Sequence, residues 1–93
     1  MNNKIQKYKE MFNIVRDELN RIDPIGIVED NENLVDEYDL ENQEILTQID
    51  KCSDYIALSV KIAEIFTKYI GIPYTPQEFE KCAKNIMDRV KQI

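Results

Sequence analysis

Between Tyr55 and Ile70 two apolar stripes run side by side at helical spacing: Ile56, Val60, Ala63, Phe66 and Ile70 on one, Leu58, Ile62, Ile65 and Tyr69 on the next. A helix that is apolar over two adjacent faces must be covered from more than one side. The other segments of the chain therefore have to assemble around it. Ser53 or Asp54 can cap its start; Gly71 suits the left-handed residue past its end, and Pro73 blocks continuation.

Three further helices can be read from the remaining text. Ile5, Tyr8, Phe12, Val15, Leu19 and Ile22 follow steps of three and four, and Pro24 pushes Asp23 out of helical geometry, so the first helix stops near Ile22. A second, short helix is expected from Asp39, whose carboxylate can accept from the first-turn amides, to near Cys52, with Ile45, Leu46, Ile49 and Cys52 on its buried side. The fourth begins at Thr75-Pro76-Gln77-Glu78, a capping box with proline at the first helical position, and carries Phe79, Cys82, Ala83, Ile86, Met87, Val90 and Ile93 to residue 93.

Between the first two helices, Asp23 to Val35 has no helical period and holds the turn formers Pro24, Gly26, Asp30, Asn31 and Asn33. Ile25, Ile27, Val28, Leu34 and Val35 are too apolar for a free linker, so part of this connection should pack on the helices. The expected fold is all-α: a single helical domain over residues 1–93, a four-helix bundle-like array with a long, partly packed loop between helices 1 and 2.

Composition removes several function classes. The 93 residues carry 18 acids, 12 bases and no histidine, for a net charge of −6. Nucleic-acid binding needs clustered Lys and Arg, and most zinc chemistry needs His or more Cys than Cys52 and Cys82 provide. These two cysteines sit at apolar spacing without His partners, as reduced thiols in a core would. MNNKIQKYKEMF lacks the apolar core of a signal peptide, and no segment reaches the length of a membrane span, so a cytoplasmic location is expected, with neither nucleic acid nor membrane as partner. With Gly26 and Gly71 the only glycines, there is no phosphate-binding loop. The chain is not expected to be an enzyme, and no cofactor is implied.

Charge is uneven. Residues 29–54 hold ten acids and one base, a local charge of −9 against +3 for the remainder. The reading adopted here is an acidic surface that docks a basic protein partner, made by Glu29, Asp30, Glu32, Asp36, Glu37, Tyr38, Asp39, Glu41 and Glu44. Tyr38 either projects from it as an anchor or turns inward and staples the loop to the bundle, and stapling is favoured. An EF-hand reading fails, because a loop starting at Asp30 has Leu34 at its fifth position and Val35 in place of the turning glycine. A looser hard-metal site at Asp36, Glu37 and Asp39, or a small-ligand module, is the alternative; a self-associating structural protein, a homodimer through the third and fourth helices, is another.

Leu19-Asn20-Arg21-Ile22 followed by Asp23-Pro24-Ile25-Gly26, then Asp36-Glu37-Tyr38-Asp39 with Glu41 and Ile45, resembles the YugE-like family of small bacterial proteins. Ile62-Ala63-Glu64-Ile65-Phe66 before Gly71, and Phe79-Glu80 with Cys82-Ala83, extend the likeness over most of the chain. The resemblance implies an all-helical domain of unknown function from low-GC Gram-positive bacteria, with no catalytic residues to transfer. The DPIG and DEYD stretches also look like those of small proteins encoded beside bacterial toxins, which sharpens the docking reading to an immunity-type inhibitor covering a basic toxin.

Overall fold

The computed structural model describes residues 3–26 and 36–93. They form α1 (Asn3–Ile22), α2 (Asp39–Ile49), α3 (Tyr55–Ile70), a short 3₁₀ helix (Pro76–Phe79) and α4 (Glu80–Val90). The helices close into a ring: α1 touches α2 and α4, and α3 touches α2, the 3₁₀ helix and α4. Among the described residues no helix is long and apolar enough to cross a membrane.

Local chemistry sets the helix ends. Asp54, in extended conformation, accepts from the amide of Ala57 and caps α3, and Gly71 ends it at φ 87° with its amide donating to the carbonyl of Thr67. At the end of α1 the left-handed residue is Asp23 (φ 48°), whose amide donates to the carbonyl of Leu19. Pro24 then prevents any return to helix. The Thr75 to Glu78 signal starts a helix as expected, with the amide of Thr75 donating to the Glu78 carboxylate at 2.7 Å, but the first turn is 3₁₀, closed by the Glu78 amide on the carbonyl of Thr75.

The core contains Val15 and Leu19 from α1, Ile45 and Ile49 from α2, Leu58, Ile62, Ile65 and Phe66 from α3, and Phe79, Cys82, Ala83 and Ile86 from the last segment. Phe66 is its hub. Its ring lies 5.2 Å from Phe79, 5.6 Å from Tyr38 and 5.8 Å from Tyr74, distances at which aromatic pairs attract beyond simple burial. The Tyr38 hydroxyl donates to Oδ1 of Asp23 at 2.5 Å and accepts the amide of Ile25 at 3.1 Å. Tyr38 is therefore the staple between the end of α1 and the start of α2.

Two expectations about coverage are corrected. The stripe of α3 that starts at Ile56 and Val60 is open there, both being exposed, because α2 and the 3₁₀–α4 segment cover the face of Leu58, Ser59, Ile62 and Phe66 instead. The stripe of α1 is buried only at Val15 and Leu19; Ile22 at its end is exposed, and Ile5 and Tyr8 are 58% and 50% exposed. Twenty residues of α1 span about 30 Å and the eleven of α2 or α4 about 16 Å. α2 runs beside residues 4–16 of α1, from the Arg16–Asp39 pair to Asp50 near Lys4 and Lys7, whereas the side-chain bonds from α4 fall at Asp17 and Glu18, toward the other end.

Polar clasps join the helices. Glu18, 2% exposed on α1, accepts from Arg89 at 2.8 Å and Asn85 at 3.3 Å on α4. Arg89 also reaches Asp17 at 2.7 Å. Arg89→Ala should cost about 1–2 kcal/mol, since it strips a buried carboxylate of its cation yet removes a partly exposed one; Arg21→Ala, at an exposed pair, should stay within about 0.5 kcal/mol in the same urea titration. Tyr38→Phe keeps the ring against Phe66 and deletes only the hydroxyl, for an expected loss of about 1–2 kcal/mol.

Candidate functional site

The nine acidic-surface residues do not share one environment. Glu29, Asp30 and Glu32 lie outside the described residues. Asp36 and Glu37 are exposed in the turn before α2. Tyr38 is 2% exposed, which corrects its place in a docking surface: the hydroxyl is taken by Asp23 and Ile25, and burial followed by the bond to Asp23 raises its pKa.

The acids of α2 are spent inside the molecule. Asp39 does not cap the helix, which has no side-chain cap. Its two oxygens instead receive Nε of Arg16 at 3.1 Å and Nη2 of the same guanidinium, a forked charge-assisted pair stronger than a bond to a first-turn amide. Glu44 takes Nζ of Lys68 at 2.7 Å; this bond, then one from Tyr69, pulls the Glu44 carboxyl below its ordinary value. Both pairs carry structure, tying α2 to α1 and to α3.

Glu41 is the outlier. It is 6% exposed, and Oε1 finds no hydrogen-bond partner among the described residues. Burial drives its pKa up, repulsion from Glu37, Asp39 and Glu44 adds to this, and its own backbone amide opposes it. Two of the charges expected on the surface, Glu41 and the Asp39 partner of Arg16, are thus not presented to solvent as free carboxylates.

Metal and thiol chemistry find no assembled site. Among the described residues no three His, Asp, Glu or Cys side chains converge to hold an ion, Asp36, Glu37 and Asp39 included. Both cysteines are free thiols. Burial pushes Cys82 up to about 12, which makes it a poor nucleophile.

A different surface comes forward at the start of α1, beside the end of α2. Tyr8 stands between two shallow grooves, one of roughly 320 Å³ lined by Lys4, Lys7, Met11, Leu46 and Asp50 among others, the second of roughly 330 Å³ lined by Lys9, Phe12 and Asn13. Ile5 adds a further exposed apolar side chain. Residues 4–9 include three lysines and no acid, in a chain of net charge −6. The stripe itself was visible in the sequence; the exposure of its first half was not, because it depends on how the other helices pack on it.

Comparison with protein-family models, with curated proteins and with solved structures returned no match. The likeness to the YugE-like family rests on its quoted segments alone.

The buried carboxyl gives a pH test. Because the folded state favours protonated Glu41, ionisation costs stability as pH rises from the ordinary value of 4.5 through the raised folded one; below 4.5 both states are protonated and the cost vanishes. Glu41→Gln should therefore raise the melting midpoint by roughly 2–5 °C near neutrality. In a buffer about one pH unit below the ordinary value the gain should disappear.

Proposed function

We propose that this chain is a non-enzymatic helical domain that binds another protein through the exposed apolar start of α1 and the groove it forms with α2, in a cytoplasmic setting that keeps Cys52 and Cys82 reduced. The observation that carries this reading is the exposure of Ile5 and Tyr8, at 58% and 50%, on a stripe that continues directly into the core. Single exposed apolar residues are ordinary, but a contiguous group on one helix beside a groove is a feature of binding surfaces. Met11 and Leu46, half-buried, extend that group toward the interior.

The acidic reading keeps a narrower form. Asp36 and Glu37 are exposed at the mouth of a stretch whose local charge is −9, which supports docking of a basic partner, immunity-type inhibition included. A clean probe of it reverses Asp36 and Glu37 and spares Asp39, whose reversal would break the pair with Arg16.

Photo-crosslinking separates the two faces. A benzophenone side chain at position 8 should give a discrete protein adduct in cells that normally make the chain, and one at position 37 should give none. An adduct at 37 alone would transfer the function to the acidic face, and no adduct at either would remove both.

A further inference from the structure

We infer that the occupant of the α1–α2 groove is an amphipathic helix of a partner protein whose apolar ridge is edged by acidic residues. This rests on the binding reading above and gives the partner its chemistry.

The shape comes first. A groove between two antiparallel helices is filled by a ridge, which is how one helix lies against two others. From Lys4 to Phe12 the α1 wall of the groove offers about 13 Å, enough for a little over two turns of a helix. Tyr8, Met11 and Leu46 supply the floor, where apolar anchors spaced three and four residues apart would insert.

Charge then selects the edge. Lys4 and Lys7 line the groove and Lys9 lies on the other side of Tyr8. Glu10 is the i+3 neighbour of Lys7 and offsets it in part, so Lys4 and Lys9 chiefly set the sign of this edge. A partner helix with Glu or Asp flanking its ridge would meet these ammonium groups, and a lysine-edged helix would be repelled. A second copy joined through the same patch would bring two surfaces of the same positive balance together, three lysines to one aspartate on each, which favours it less than an acidic helix does. An anionic membrane is a flat surface that leaves the groove unfilled, and Asp50 on the α2 rim restricts the partner's acids to the α1 edge.

The test uses the full chain and two synthetic helical peptides with identical leucine ridges, one edged with glutamate and one with lysine, followed by fluorescence anisotropy. The glutamate-edged peptide should bind at least about ten-fold more tightly, the sum expected for three exposed charge pairs, and the margin should shrink as salt is raised. In Lys4→Glu/Lys7→Glu/Lys9→Glu the preference should invert. That variant should fold, because the three side chains are exposed and acids suit the start of a helix. Ile5→Ser/Tyr8→Ser should weaken both peptides. Equal binding of the two peptides, binding of neither, or tighter binding to phosphatidylglycerol vesicles than to the acidic peptide would overturn the inference. So would a dimer in sedimentation that dissociates in the Ile5→Ser/Tyr8→Ser variant. An adduct at position 8 combined with any of these results would leave the binding reading in place and remove only the partner's chemistry.

Discussion

The ring of Phe66 is the constraint on which this small bundle turns. Tyr38, Tyr74 and Phe79 all meet it, and each comes from a different part of the chain: the entry to α2, the link after α3 and the 3₁₀ turn. A domain of 93 residues has little core from which to draw stability. Gathering its aromatic side chains at one point therefore fixes several connections at once. The two tyrosines keep polar tips at the edge of the cluster, where Tyr38 meets Asp23 and Tyr74 donates to the carbonyl of Pro24 at 3.4 Å. The end of α1 is thereby held against the beginning of α2 and the link after α3.

From that corner the acidic character of α2 acquires a structural meaning. A short helix with Asp39, Glu41 and Glu44 in its first half looks, as text, like a negative surface. In three dimensions its two sides face Arg16 on α1 and Lys68 on α3, and each takes one carboxylate. Glu41 remains between them, excluded from water and repelled by its neighbours. Sequence position reports charge, but whether a charge is spent on a neighbour depends on which helices flank it, and that follows from packing.

The same distinction explains what was legible. The four helices, the cap at Asp54, the left-handed Gly71 and the helix start after Thr75 are local decisions, made by residues within a turn of one another, and they could be read directly. The inward turn of Tyr38 was readable because an aromatic ring with a polar tip beside a long connection has few better places to go. The fate of Asp39, the burial of Glu41 and the exposure of Ile56 were not readable, since each depends on a partner many residues away. Asp39 looked like a cap because nothing nearby in sequence competes for it; Arg16, 23 residues earlier, does.

The exposed start of α1 belongs to both categories. Its periodicity is local and its exposure is not, because an apolar stripe carries no mark of where its cover ends. Continuous with the core at Val15 and Leu19, the stripe is exposed toward the N-terminal end and there changes company, acquiring Lys4, Lys7 and Lys9. α2 flanks this end of α1 on one side, with Leu46 and Asp50 beside Lys4, Lys7 and Tyr8, yet Ile5 and Tyr8 stay exposed. Apolar side chains left exposed in register with the core, and bordered by charge opposite to that of the whole chain, are the features on which the proposed contact with another molecule rests.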